Sequence, residues 1–375
     1  MTRLYLDHAA TTPLGPMVRE AMVPWLGTEF GNPSSLHEEG RRARQAVDEA
    51  REVLSARLGC LFGEVLFTSS GTEAANMAII GVALHALSSG NPRRKILMGA
   101  IEHHCVLHTA PMLEALGFQI GLVPVNRQGV YRDVESLMSD DVLLVSLMHA
   151  NNELGTIQDI RSFSSAIKGH GAILHADAVQ TFGSKPFTVD DLGVDFLSVS
   201  AHKLYGPKGV GALYVRSGVR LQPTAVGGGQ EREMRAGTEN VAGIVGFAEA
   251  VRGSAIPSTE ARDAFLSYLQ GDWVRSVSID TPCLPGHAHI RFPGIGAETM
   301  LIRLDRMGAS ASSGAACSSG SLEASHVLVA CGYSDFESRE GLRFTFGRGQ
   351  DAETGKMAAQ IVGEAATEIL ATRRA

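Results

Sequence analysis

The chain has 375 residues, with 33 Lys and Arg against 40 Asp and Glu, a formal net charge of −7. Hydrophobic residues make up 44% and charged residues 19%, a composition that buries a sizeable core and excludes a disordered, collagen-like or disulfide-stapled chain. The mild acidity argues against direct nucleic-acid binding, which leaves a basic footprint, and the longest apolar runs are strand-sized, far short of a membrane span.

The first residues, MTRLYLDHAATTPLGP, contain no apolar core of the secretory type, so a cytoplasmic protein is expected. The turn at Pro13, Gly15 and Pro16 predicts that residues 1–14 pair elsewhere before a large domain begins. An amphipathic pattern over 37–58 predicts a helix. Short apolar runs then predict strands at 64–68, 95–99, 119–123, 142–148, 172–177, 195–199 and 211–215, with a further helix over 159–169. Near-continuous Val, Leu and Ile runs mark strands buried on both faces, as in parallel sheets. Their alternation with helices points to a doubly wound α/β architecture. After a linker at 253–257 the pattern changes. Helices are expected at 261–270, 297–306, 322–330 and 351–371, with strands near 287–292 and 340–346. The expected division is a large domain over 15–254 and a smaller α+β domain over 1–14 and 255–375.

Three motifs along the large domain carry chemistry. In TSSGTEAAN (68–76) a strand ends in a Ser-Ser-Gly turn, and Thr72-Glu73 opens a helix. Free N–H groups and the dipole at a helix start bind phosphate; the plain alternative is a capping box. No Gly-Lys-Ser/Thr follows, so this is not a Walker loop. In LHADAVQ (174–180), Asp177 ends a buried strand, where open α/β sheets place ligands. A buried carboxyl there suits the protonated ring nitrogen of a cofactor, or caps the next helix. In SVSAHKLYGPKG (198–209), Lys203 follows a strand and precedes a Gly-Pro turn, a placement that suits a Schiff base with an aldehyde cofactor. A surface lysine is the alternative for Lys203 alone; the order of phosphate site, ring-nitrogen partner and lysine favours the cofactor.

These motifs sit among YLDHAATTP, FGNPSSLH, EHHCVL, MHANNELG, GGGQEREMRAGTEN, SSGAACSSGSLE and LRFTFGR. Together they resemble the cysteine desulfurases of the class V aminotransferase group, nearer the iron–sulfur-cluster type. The resemblance spans most of the chain. It implies a pyridoxal-phosphate fold of type I, with a seven-stranded mostly parallel sheet. It implies that Lys203 is the Schiff-base lysine, that Asp177 holds the pyridinium nitrogen, and that His103 stacks on the ring and assists proton transfer. Gln180 would bond the phenolic oxygen, and Gly71, Thr72, Ser200 and His202 would hold the phosphate. Thr238 would reach the phosphate of a neighbouring subunit, which implies a homodimer. Asn152 and Arg343 would grip the substrate carboxylate, for which a bidentate guanidinium is the natural partner. His104, Cys105 and His108 also fit a helical zinc pattern, the disfavoured reading; no metal is expected.

The five cysteines, Cys60, Cys105, Cys283, Cys317 and Cys331, are too few and too scattered for a disulfide framework and read as reduced thiols. Cys317 lies in GASASSGAACSSGS (308–321), a stretch of Gly, Ala, Ser and Cys that reads as a mobile loop. It is the expected nucleophile, turning L-cysteine into L-alanine with a persulfide left on Cys317 for an unidentified sulfur-acceptor protein. Another class V enzyme, an aminotransferase or selenocysteine lyase, is the alternative, as is a sulfur-relay scaffold without turnover. A plain aminotransferase has no use for the thiol.

Overall fold

The computed structural model describes residues 3–277, 281–314 and 324–374. Among these residues twelve strands follow in chain order. β1 is Leu4–Tyr5, β2 Val65–Thr68, β3 Lys95–Gly99, β4 Gln119–Val123, β5 Val142–Ser146, β6 Ile173–Asp177 and β7 Phe196–Ser200. β8 is Gly211–Val215, β9 Arg275–Ser276, β10 His287–Arg291, β11 Ala309–Ser310 and β12 Gly341–Thr345. Seven of them form one sheet in the order β2-β8-β7-β6-β5-β3-β4. β8 runs antiparallel to both of its neighbours, and the remaining pairs are parallel. The sheet is therefore the seven-stranded, mostly parallel one expected from the sequence.

β5 and β7 are buried along their whole length, because helices cover both faces of the sheet. The helix Gly71–Ser88 lies against one face, and its apolar residues occur all round rather than in a stripe, as burial on every side requires. On the other face pack the helices Glu38–Leu58 and Val241–Arg252, around a core that includes Val47, Leu54, Val145, Leu174 and Phe247. Glu38–Leu58 begins at His37, whose ring accepts from the Gly40 N–H, and ends at Gly59 in the left-handed region (φ 67°), where a glycine stops a helix at least strain.

A second core surrounds the small antiparallel sheet β12-β10-β9. It joins Leu6 to Phe265, Ile290, Met300, Phe344 and Val362, under the helices Glu260–Tyr268, Ala297–Arg306 and Ala352–Arg374. β1 pairs in parallel with β11, so the N-terminal segment does join the C-terminal part of the chain. The helix expected over 322–330 begins, among the described residues, only at His326. Ser325 has a non-helical ψ of 117° and its Oγ accepts from the Leu328 N–H at 3.2 Å, which makes it a cap and not a helical residue. β5 stops at Ser146 rather than 148, because the Met148 N–H turns away to the Glu102 carboxyl. Among the described residues, no helix is long and apolar enough to cross a membrane.

The tightest backbone lies at Glu231, Arg232 and Glu233, three successive non-glycine residues at φ 43°, 57° and 65°. Left-handed conformations cost L-residues about 1–2 kcal/mol each. Arg51 opposes this with a buried bidentate pair to Glu231 at 2.7 and 2.8 Å, and the same carboxylate accepts from the Phe67 N–H at 2.9 Å.

Candidate active site

Strand order reverses between β3 and β5: the chain steps out to β4 on one side and returns to β5 on the other. Open α/β sheets bind ligands at such a point, outside the carboxyl ends of the strands. A cavity of about 360 Å³ lies there. His103 follows β3, Met148 to Asn152 follow β5, Asp177 ends β6, Ser200 ends β7, and Arg343 of β12 closes the cavity from the smaller sheet.

At one end is the start of the helix Gly71–Ser88. The Ser70 Oγ accepts from the Glu73 N–H at 3.1 Å and fixes the first turn. Gly71 is needed for close approach: a Cβ there would stand 2.7 Å from Val179 Cγ2. The amides of this turn and the positive end of the helix dipole, with Thr72, Ser200 and His202 alongside, form a cradle for a doubly charged anion. His202 accepts or donates at 3.2 Å to the Thr11 hydroxyl. Burial and the charges of Lys203 and Lys208 lower its pKa to about 4.

Lys203 reaches the cavity floor, where its Nζ donates to the carbonyls of Ala9 at 2.5 Å and Ala10 at 2.8 Å. The Gln180 amide donates to the same Ala9 carbonyl at 3.2 Å. Asp177 accepts from the Val179 N–H at 2.8 Å. Burial raises its pKa to about 6, against the attraction of Lys203. A carboxyl held in this condition is stabilised by a buried cation facing it. The His103 Nδ1 accepts from the Cys105 N–H at 3.1 Å, which leaves Nε2 to carry the proton of the neutral ring. Burial first, then Lys203 and the nearby histidines, bring its pKa down to about 4, so the neutral ring prevails at pH 7.

The substrate end is built on Arg343. It is buried, pairs with Asp7 Oδ1 at 2.7 Å and donates to the Asn152 carbonyl at 2.9 Å. Among the described residues its buried Nε has no hydrogen-bond partner, a donor that an incoming carboxylate would satisfy. Glu153 also lines the cavity, and burial pushes its carboxyl up to about 7 against the Arg343 charge and a bond from Ser325.

The expected residues Gly71, Thr72, His103, Asn152, Asp177, Gln180, Ser200, His202, Lys203 and Arg343 thus share one cavity. Thr238 does not line it; it is exposed in the loop before the helix Val241–Arg252. Cys317 lies outside the described residues. Asp7, Glu153, His326 and the Ala9 and Ala10 carbonyls belong to the site as well, and the motif reading passed over them. Asp7 and Glu153 stand inside the recognised YLDHAATTP and MHANNELG segments, so a signal for them was present. The His104 and His108 rings stack in parallel at 4.4 Å, and among the described residues no group of three or more His, Cys, Asp or Glu is placed to hold a metal ion.

An anion cradle at a helix start, a buried carboxyl and a lysine amine on one floor form a donor set that fits pyridoxal phosphate, and the fold and site define a pyridoxal-phosphate enzyme. The family model for class V aminotransferases matches residues 4–354. The chain is 45% identical to Cysteine desulfurase IscS of Dictyoglomus turgidum, over 92% of this chain and 89% of that one. It is 43% identical to Putative cysteine desulfurase IscS 1 of Bacillus subtilis, over 97% and 98%. A solved NifS-like protein superposes with a TM-score of 0.89 at 34% identity, covering 99% of this chain and all of that one. A structure described as SspA in complex with cysteine superposes with a TM-score of 0.82 at 34% identity, covering 92% and 99%. The chain belongs to the class V aminotransferase family.

Proposed function

We propose that this chain is a pyridoxal-phosphate-dependent cysteine desulfurase that converts L-cysteine to L-alanine and leaves a persulfide on Cys317. The observation that carries the reading is one cavity holding Lys203, Asp177 and the unpartnered Nε of Arg343, in a chain whose relatives bear the name cysteine desulfurase. Bound pyridoxal phosphate supplies an electron sink for the carbanion at the substrate Cα.

The residues divide the remaining work. The Gly71 turn, Thr72, Ser200 and His202 would hold the phosphate, and Asp177 would keep the ring nitrogen protonated. Gln180 would donate to the phenolic oxygen. Lys203 would hold the cofactor aldehyde, and its amine would take the substrate Cα proton. Arg343 and Asn152 would orient the substrate carboxylate, and neutral His103, whose Nε2 carries the proton, would pass a proton. The Cys317 thiolate attacks the substrate sulfur. The S–S bond forms, the Cβ–S bond breaks with its electron pair passing to carbon, and a proton fills the Cβ position. The other thiols suit this role less well: burial raises Cys60 and Cys331 to about 12 and Cys105 well above the ordinary range, and Cys283 donates to the Leu154 carbonyl at 3.5 Å.

The reading extends to a cytoplasmic homodimer in which Thr238, exposed in its own chain, reaches the phosphate of the partner. The large domain would be residues 15–254 and the small domain 1–14 with 255–375; the separate core that ties Leu6 to the C-terminal helices supports this division. Sulfur then passes to an acceptor protein, as in iron–sulfur assembly or thiolation. The test is incubation of the cofactor-loaded protein with L-cysteine. Alanine is expected together with an added sulfur on the Cys317 peptide by mass, and neither with Cys317→Ser. Alanine released by Cys317→Ser at the parental rate would overturn the thiol mechanism.

A further inference from the structure

Glu102 follows β3 and immediately precedes His103, yet it does not line the cavity. It is fully buried. Its Oε1 accepts from the Tyr131 hydroxyl at 2.8 Å and from the Met148 N–H, and that N–H lies 3.3 Å from the Tyr131 oxygen. Met148 opens the turn after β5 that carries Asn152 to the cavity. One side chain thus ties the exit of β3 to the exit of β5. A second tie runs beside it, since the Asn151 Nδ2 donates to the Ile101 carbonyl at 3.0 Å. The main chain of Glu102 is engaged as well. Its N–H donates to the Gly99 carbonyl at 3.1 Å, and its carbonyl lies 3.0 Å from Nε2 of His326, another residue of the cavity.

The place of Tyr131 is built by its neighbours. A Cβ on Gly99 would stand 2.6 Å from Tyr131 Cε1 and Cζ, so a glycine at the end of β3 is what admits the ring. The Tyr131 N–H donates to Gln158 Oε1 at 3.1 Å, and the Gln158 Nε2 donates to the Gly129 carbonyl at 2.6 Å. The other oxygen of Glu102 is a contrast: among the described residues the buried Oε2 has no hydrogen-bond partner. A charged oxygen without a donor costs far more than an unpaired neutral hydroxyl. Burial, and then the charge of Asp177, raise this carboxyl well above its ordinary range, which favours the same protonated form.

We propose that Glu102 is a positioning residue: through Tyr131 and the Met148 amide, its carboxyl group sets His103 and Asn152 in place relative to one another across the cavity. What those two residues do rests on the reading above; how they are held does not. Glu102 acts through the two loops it joins, because a small displacement of a proton-transfer group or of a substrate anchor is enough to slow a reaction severely. Glutamine is the closest substitute for the acid form. Its amide oxygen accepts from the same two donors, and its NH2 stands where the unmatched hydroxyl stood. Alanine releases both donors.

Two measurements test this. In cofactor-free protein carrying carbon-13 at the histidine Cε1, the NMR signal of the His103 ring, assigned with His103→Gln, reports its surroundings without turnover. In the cofactor-loaded protein, kcat and KM for L-cysteine are measured per mole of bound cofactor. Glu102→Gln is expected to match the parent in both. Glu102→Ala is expected to shift the His103 signal, lower kcat about 100-fold and raise KM about tenfold, as Asn152 moves with Met148. Tyr131→Phe, which removes one donor at a distance in sequence from His103, is expected to shift the signal and lower kcat about tenfold. A lower urea midpoint in Glu102→Ala with signal, kcat and KM unchanged would reduce Glu102 to support of the fold and overturn the proposal. Glu102→Gln as defective as Glu102→Ala would overturn it too, since charge and not hydrogen bonding would then be the agent. If Glu102→Ala does not fold, Tyr131→Phe decides, and a parental signal with parental kcat overturns the proposal. A parent chain that makes no alanine from L-cysteine would remove the functional reading instead, and the His103 signals would still test the placement.

Discussion

Asp177→Asn should strengthen the cofactor-free protein at alkaline pH and weaken the enzyme. Asp177 is buried at the end of β6 with one backbone donor, from Val179, and burial raises its carboxyl from 3.8 to about 6. A carboxyl raised in the folded state is protonated in both states at low pH, where it has no effect. The penalty grows as pH rises through the unfolded value and is complete above the folded one. The difference amounts to about 3 kcal/mol at pH 8, and about half of that at pH 5. Asparagine keeps the oxygen that accepts from Val179 but brings a buried amide that lacks a partner, at a cost of about 1 kcal/mol or more. The net expectation is a gain of about 1–2 kcal/mol at pH 8 that vanishes and reverses by pH 4. Urea unfolding of the cofactor-free proteins at pH 8, 6 and 4 measures it directly. With cofactor bound the same change removes the counter-charge of the ring nitrogen, and alanine production should fall at least about a hundredfold. The same order of stability at every pH, or near-parental turnover, would refute the assignment of Asp177 as a buried carboxylate waiting for a cation.

Other expectations follow from the same structure. Glu233→Gly relieves one left-handed residue at an exposed position and should stabilise the protein by up to about 1 kcal/mol, read as a higher urea midpoint. Arg343→Lys retains charge but loses the fork that meets a carboxylate, and should raise KM for L-cysteine about tenfold or more with a smaller change in kcat. Lys203→Ala should abolish alanine production and leave a protein that retains no cofactor after borohydride reduction and denaturation, whereas the parent keeps it covalently attached as a colourless secondary amine. The buried histidines His149, His175, His287 and His289 have pKa values lowered to between about 3 and 4 by burial. The unfolded chain therefore takes up protons below pH 6.5 that the folded chain refuses, and stability is lost as pH falls. At pH 5.5 these four remove about 5 kcal/mol, of which relief at Glu153 and Asp177 returns about half. A thermal midpoint that rises from pH 7.5 to 5.5 would contradict this.

The main sheet was legible because burial on both faces leaves unbroken apolar runs, and β3, β4 and β8 fall at the expected residues. The antiparallel course of β8 has no such signature, since a strand buried on both faces reads alike in either direction. The short strands β1, β9 and β11 were not legible, for two residues carry no period. Within the site, side chains with distinctive chemistry stood out: a lysine after a strand, an aspartate at a strand end, an arginine. The floor did not. Lys203 is held by the carbonyls of Ala9 and Ala10, and a backbone oxygen leaves no trace in the residue that bears it. Glu153 and Ser325 were hidden for a different reason: each is ordinary until the fold brings them within 2.6 Å.

The pairing of the first strand with β11, and of Asp7 with Arg343, has a consequence for how the protein comes into being. On the ribosome, β2 waits for β8 to emerge as its partner, and the N-terminal segment waits far longer, until residues beyond 340 have been made. Until then Asp7 lacks its ion-pair partner, and the cavity lacks Arg343 as its far wall. Pairings of such long sequence separation form late and slowly. A truncated product that has folded its large sheet therefore still lacks the substrate end of its cavity.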